Sequence, residues 1–196
     1  MDNWNTRESL LLRASDPDDH EAFEEFVYYY KNFISMVFVK MGVNDSHVDD
    51  LKQDLLVKLW RDISKFDSTR ENSNFRGWLS VVIRHEVYRF FRKSKKNQTD
   101  ELPDNHLNLS EESEVDKMIE DEWKAYVTSL AVEKVKSYFD GNALKVFYLT
   151  LEGKNAAAIA EELDMSENSV YVLRSRVKAR FQSEIRQLRM FLENHQ

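Results

Sequence analysis

Apolar positions recur at helical spacing along most of the chain. Between Glu21 and Met41 they fall three or four positions apart, and Gly42 follows as a residue suited to a left-handed helix end. Two more stripes share this period: Val48, Leu51, Leu55, Leu59 and Ile63, then Leu79, Val82, Ile83, Val87 and Phe90. The first half of the chain is therefore predicted to be a run of helices.

Polar residues mark the helix starts in this half. Thr6 can cap a first helix, and the run 16–19 is a break whose carboxylates can accept from the free N–H groups of the next helix. Ser46 is predicted to start another helix. Residues 66–74 form a polar connection, after which Phe75 or Arg76 opens a long helix.

The second half shows the same pattern after an interruption. Residues 97 to about 113 lack periodicity and contain Pro103, which indicates a flexible linker. Helices resume near Val115, and shorter ones are predicted over 143–151, 155–163 and from Ser166 to about Glu193. The fold class is therefore all-α, with two small helical domains (residues 1–96 and 115–196) joined by the acidic linker 97–114.

Composition supports helices and removes several classes of protein. The chain has 196 residues with only four Gly and two Pro, too few for the frequent turns of a sheet or barrel. It has no Cys, which excludes disulfides and thiolate metal sites. No apolar run approaches the roughly 18 residues of a membrane span, and no signal-peptide pattern opens the chain.

Charge is sorted into blocks, although the formal net charge is −7. Residues 75–96 are basic, residues 98–122 are acidic, and residues 174–189 are basic again. Charge blocks, rather than the total, decide where a polyanion can dock. The two basic segments are therefore candidate nucleic-acid surfaces.

Residues 156–170 have the spacing of a DNA-binding helix-turn-helix. Small Ala160 allows close helix approach, Asp164 holds the turn position where Gly is usual, and Ser166 suits the N-cap of the second helix. In this motif the second helix enters the major groove, where cations bind phosphates and other side chains read base edges. A surface helix with solvated charges is the alternative interpretation.

The basic segment 75–96 also carries aromatic residues. Aromatic rings beside cations suit unstacked bases, because stacking needs only a π-face and phosphates need only charge. Trp78 and Phe90 also fit a core position, whereas Tyr88 and Phe91 fit either role. Nucleic-acid binding and plain core packing both remain open for this segment.

Both halves, in this order, resemble bacterial RNA polymerase sigma factors of the extracytoplasmic-function group. Residues 48–60 resemble the acidic helix of sigma domain two, and residues 75–79 with Arg84 and the basic tail resemble its promoter-melting segment. Residues 170–177 resemble the recognition helix of sigma domain four. The resemblance covers nearly the whole chain except the linker.

The resemblance implies two roles for domain two. Asp50, Gln53 and Asp54 share one helical face and would dock on the basic coiled coil of the polymerase clamp; a solvated acidic face is the alternative. The loop 67–74 and the helix after it would capture a flipped base of the minus-ten promoter element. The expected contacts to that element are Phe75, Arg76, Arg84, His85, Tyr88, Arg89 and Arg92.

Domain four would read the minus-thirty-five element as duplex DNA. The resemblance gives base contacts to Tyr171, Val172, Arg174 and Ser175, and phosphate contacts to Asn168, Ser169, Arg176 and Lys178. The helix register is open, since many relatives carry a Lys-Ser-Arg run three residues earlier than Arg174-Ser175-Arg176. The acidic linker would either occupy the polymerase channel as a mimic of nucleic acid or serve as a solvated spacer.

The implied function is to bind core RNA polymerase, through its clamp and flap, and to direct promoter recognition, melting and initiation in the cytoplasm. An anti-sigma factor is a further expected partner, because such partners are common in the group. The main rival is a stand-alone helix-turn-helix regulator that needs no polymerase; a polymerase adaptor without promoter contacts is another. Catalysis is not expected, since the five His are scattered and the aspartates at 16–19 fit capping.

Overall fold

The computed structural model describes residues 10–16, 18–66, 75–97 and 112–193, and within these ranges all regular structure is helical. The α-helices are α1 (Leu10–Ala14), α2 (His20–Lys40), α3 (Asp45–Asp62), α4 (Phe75–Asn97), α5 (Glu112–Lys136), α6 (Gly141–Leu151), α7 (Ala156–Glu162) and α8 (Glu167–Glu193). The predicted all-α fold class is confirmed. The cap predicted at Thr6, the loop 67–74 and the linker residues 98–111 lie outside the described residues.

Side-chain caps start α2 and α3. Asp19 Oδ1 accepts from the N–H of Ala22 at 2.8 Å, as predicted for the break before α2. Asn44 Oδ1 accepts from the N–H of Ser46 at 3.1 Å, so α3 begins slightly before the predicted residue. Gly42 follows α2 with φ +87°, the left-handed backbone that was expected there.

The chain divides into two compact units, and the first comprises Met1–Ala125 and Met190–Gln196. Its core is aromatic: the rings of Phe26 and Tyr30 stack with centroids 4.4 Å apart, and Phe75 meets both edge-on. Leu55 of α3 and Ile83 of α4 are fully buried beside them. The apolar stripes of α2, α3 and α4 largely follow the predicted pattern. The exceptions are Phe33 and Phe38 of α2, which are buried although they were not predicted, and Val82 and Phe90 of α4, which are only half-buried.

The first half of α5 belongs to this unit because it carries its own apolar stripe. Val115, Ile119 and Trp123 recur every fourth residue, and each is at most 3% exposed. The Trp123 ring stacks on Tyr30 at 5.4 Å. Residues 115–125 were predicted to belong to the second domain. The boundary between the two compact units falls inside α5, between Ala125 and Tyr126. The predicted domains were assigned by function, and they stay a prediction.

The second unit, Tyr126–Arg189, holds the residues that were predicted to form a helix-turn-helix. Val146, Ile159 and Val170 are fully buried and join α6, α7 and α8 in one cluster with Ala156 and Ala160. Asp164 has φ +49°, so it adopts the left-handed turn that the motif requires of this position. Two helices and a left-handed turn are therefore present over residues 156–170, and their identity as a DNA-binding motif stays a prediction.

Candidate nucleic-acid and protein interfaces

The outer face of α3 carries the predicted acidic cluster. Asp50, Gln53 and Asp54 are all exposed, whereas Leu51 and Leu55 on the opposite side are buried. Helical spacing brings the three polar side chains onto one surface. Within the described part of the chain neither Asp50 nor Asp54 forms an ion pair. The cluster is therefore available to a cationic partner.

One face of α4 is core and includes a residue that was predicted to contact DNA. Phe75 is 1% exposed, and its ring packs against Phe66 and Trp78 at 5.2 and 5.4 Å as well as against the rings of α2. Burying a ring of this size is a large stabilising contribution. Phe75 therefore lies in the core of the described structure, and its predicted contact with DNA stays a prediction.

A second face of α4 carries Arg76 and Arg84, which are covered rather than open. The Arg84 side chain is 6% exposed, and its Nη1 donates to Asp116 Oδ1 at 2.7 Å. The Arg76 side chain is 15% exposed, and its Nη1 donates to Glu120 Oε2. Both guanidinium groups are thus paired with carboxylates of α5.

The third face of α4 is open to solvent. His85, Arg89 and Arg92 are exposed, and Tyr88 is half-buried. Arg89 donates through Nη2 to Glu86, whose side chain is only 2% exposed. Lys58 Nζ lies 3.8 Å from the same carboxylate, which therefore has cationic partners despite its burial. The predicted minus-ten set is split among three faces of one helix.

Sequence reasoning missed the acidic partners of this helix. Asp116 and Glu120 were counted only as part of an acidic block, and buried Glu86 and Glu193 were not singled out. The sequence did contain a sign of these ion pairs. Arg76 and Arg84 lie about two turns apart on one face of α4, and Asp116 and Glu120 lie about one turn apart on one face of α5. Nothing in the sequence indicated that α4 and α5 pack against each other.

The outward face of α8 contains most of the predicted recognition residues. Asn168, Tyr171, Val172 and Ser175 recur at i, i+3, i+4 and i+7, and all four are exposed. Tyr171 is 57% and Val172 50% exposed, so both side chains are accessible to a partner. Arg176 and Lys178 flank this face and are also exposed.

Ser169 and Arg174 are less open than their neighbours, and both are half-buried. Ser166 Oγ accepts from the N–H of Ser169 at 3.1 Å, and the two hydroxyls lie 2.8 Å apart. Ser166 is therefore the N-terminal cap that the sequence predicted. The hydroxyl of Ser169 thus lies against this cap, and either of the two hydroxyls can be the donor.

Comparison with known families identifies the N-terminal helices. Residues 26–97 match the family described as Sigma-70 region 2. This part of the chain is similar to the Sigma-70 region 2 family. The matched residues include the acidic cluster of α3 and the whole of α4, so both candidate surfaces of the first unit fall within the match.

The other comparisons add little. No curated protein matches the chain. A solved structure described as CnrH in complex with the cytosolic domain of CnrY is similar to this chain with a TM-score of 0.37 and 19% sequence identity, covering 89% of this chain and 93% of that one. Within the described ranges, no helix is long and apolar enough to cross a membrane, and no cluster of metal-binding side chains is present.

Proposed function

We propose that this chain is a sigma factor of the extracytoplasmic-function group, which binds core RNA polymerase and directs promoter recognition and melting. The observation that carries the proposal is the region 2 match over residues 26–97. The helix-turn-helix of the second unit supports it, because a sigma factor needs a second DNA-reading surface after region 2. The proposed role is non-catalytic, and it places the chain in the cytoplasm with the chromosome.

The acidic cluster of α3 is the proposed contact to the polymerase clamp. A row of exposed carboxylates on a rigid helix complements a cationic helical surface, and such pairs set both the rate and the register of docking. Asp50 and Asp54 would form ion pairs, and Gln53 between them would donate or accept a hydrogen bond. The flap of the polymerase is the proposed contact of the second unit.

The open face of α4 is the proposed surface for the minus-ten element. His85 and Arg92 are exposed and can meet phosphates directly, whereas Arg89, also exposed, would exchange the Glu86 carboxylate for a phosphate. Extruding a base costs a few kcal/mol, and the cationic face offsets that cost. Arg76, Arg84 and Tyr88 would join the surface only when the groups that cover them move away.

The outward face of α8 is the proposed reader of the minus-thirty-five element. Tyr171, Val172 and Ser175 lie on the ridge that would face the base edges, while Asn168, Arg176 and Lys178 flank it toward the phosphates. Ser169 and Arg174 would contribute from the side of this ridge. An anti-sigma factor is a further proposed partner, because such regulators are common in the group. No residue of this chain is assigned to that contact.

In vitro transcription with bacterial core polymerase on a genomic fragment library tests the proposal. The chain should direct initiation at a limited set of start sites, and core polymerase alone should not. Tight binding of the chain to duplex DNA without polymerase, with no promoter-specific transcript in its presence, would instead establish a stand-alone regulator.

Charge reversal tests the polymerase contact. Asp50→Lys combined with Asp54→Lys should weaken binding to core polymerase by about 100-fold or more, since reversing two interfacial charges costs at least ~3 kcal/mol. Glu21→Lys combined with Glu24→Lys changes the net charge equally at two exposed positions of α2 and serves as the matched control. Equal binding of the two double variants would exclude the α3 cluster as the contact.

A further inference from the structure

The arginine pair of α4 is covered by residues 112–125 of α5, here called the α5 lid. The Arg84 side chain is only 6% exposed, whereas its partner Asp116 is 50% exposed. Arg76 is 15% exposed, and its partner Glu120 is 40% exposed. The carboxylates thus lie on the outside and the guanidinium groups beneath them. A polyanion that approached this face would meet negative charge first.

The α5 lid is packed onto the domain, not merely laid over it. Trp123 is 2% exposed, and its ring stacks on Tyr30 and meets Phe33 edge-on at 4.9 Å. The indole N–H donates to Glu193 Oε1, which also lies 3.4 Å from Arg76 Nε. The Tyr30 hydroxyl donates to the carbonyl of Leu192 at 2.6 Å. The last turn of α8 therefore holds the lid and one of the arginines together.

We propose that the α5 lid is an autoinhibitory contact, in which Asp116 and Glu120 occupy the arginines that region 2 would otherwise offer to DNA. This inference rests on the proposed function, because it assigns Arg76 and Arg84 to the promoter surface. A guanidinium group that is buried against a carboxylate is shielded from a phosphate, and the two acceptors compete for the same cation. Lid and DNA are therefore mutually exclusive ligands of this face.

Binding of unpaired DNA by the full-length chain tests the contact. Asp116→Asn with Glu120→Gln keeps the shape of both side chains but removes their charge. A fluorescent 20-nucleotide single strand of random sequence should bind this variant about tenfold more tightly than wild type. The slope of log affinity against log salt should steepen by about 1.4, since each newly engaged phosphate adds roughly 0.7 on single strands.

A matched control separates a lid effect from a change in total charge. Glu114→Gln with Asp121→Asn neutralises two exposed carboxylates of the same helix that do not contact Arg76 or Arg84 in the described structure. It should leave the salt slope at the wild-type value. An equal gain in affinity in both double variants would overturn the proposal, and so would retention of the gain when Arg84→Ala is added to the lid variant.

Hydrogen exchange of the wild-type chain gives a second test that needs no variant. Amides of residues 112–123 should exchange more rapidly when the chain is bound to core polymerase and promoter DNA than when it is free, because the lid must leave the face. Unchanged protection in a transcriptionally active complex would refute the lid while leaving the sigma function intact. Absence of any promoter-specific transcript would refute the proposed function itself.

Discussion

Ile159 connects the two helices of the helix-turn-helix, and its truncation gives the sharpest prediction about this fold. The residue is 0% exposed and packs in one cluster with Val146, Ala156, Ala160 and Val170. Ile159→Ala removes about three carbons at ~0.8 kcal/mol each, and the cavity left behind raises the loss to ~3–4 kcal/mol. The higher helix propensity of Ala returns roughly 0.5 kcal/mol. A net loss of about 3 kcal/mol in the free energy of unfolding follows.

Hydrogen exchange followed by mass spectrometry measures this loss locally. The amides of α7 and of the first turns of α8 should exchange about 100-fold faster in Ile159→Ala than in wild type, because each 1.4 kcal/mol is roughly a factor of ten. The local readout is needed because tryptophan fluorescence does not report on this region: the Trp residues stand at positions 4, 60, 78 and 123, all outside the second unit.

Val172→Ala is the matched control, since it truncates a β-branched side chain of α8 that is 50% exposed. Its effect on stability should stay within about 0.5 kcal/mol. Under the proposed function, it should also weaken binding to the minus-thirty-five element. If exchange in Ile159→Ala rose no more than in Val172→Ala, the packing of α7 against α8 described above would be incorrect.

Three further predictions concern a turn, a cap and an ion pair. Asp164→Gly should increase the free energy of unfolding by about 0.5–1 kcal/mol and so raise the melting temperature, because Gly adopts φ +49° without the penalty that other residues carry. An unchanged or lower melting temperature would contradict this. Asn155→Ala should cost about 1 kcal/mol in a denaturant titration, since the cap to the N–H of Ala158 at 2.9 Å is lost, whereas Asn155→Asp should not. The hydrogen bond from Lys65 holds the pKa of Asp62 below its ordinary value of 3.8. This pair therefore stabilises the fold above pH 3.8, and the contribution is lost as the pH falls through the lower folded pKa. In Lys65→Met, an NMR titration of the carboxyl group should show the pKa of Asp62 rising toward 3.8, and an unaltered titration would disprove the pairing.

Much of this fold could be predicted because the deciding interactions are local. The period of the apolar residues identified the helices, and capping at Asp19 and Ser166 involves groups only three residues apart. The left-handed turn at Asp164 was predicted from the motif and the conformational tolerance of Asp. The acidic cluster of α3 could be predicted for the same reason, since one helical face follows directly from i, i+3 and i+4 spacing.

The accessible and the covered arginines of α4, the proposed promoter surface, could not be told apart from the sequence. The sequence does not distinguish Arg76, Arg84, Arg89 and Arg92 from one another. A cation on an amphipathic helix is expected to be solvated, whether or not another element covers it in the fold. The structure separates them: Arg84 pairs with Asp116, 32 positions away, and Arg76 with Glu120, 44 positions away. No local pattern encodes such pairs, since they exist only when the apolar stripe of α5 is docked.

The sequence by itself thus determined the helices, their caps, the left-handed turn at Asp164 and the open acidic face, all set by groups within one or two helical turns of each other. Only the tertiary structure decided which charged groups are accessible. Phe75 lies in the core, and Arg76 and Arg84 lie beneath carboxylates, because burial depends on what packs against a face rather than on the face itself.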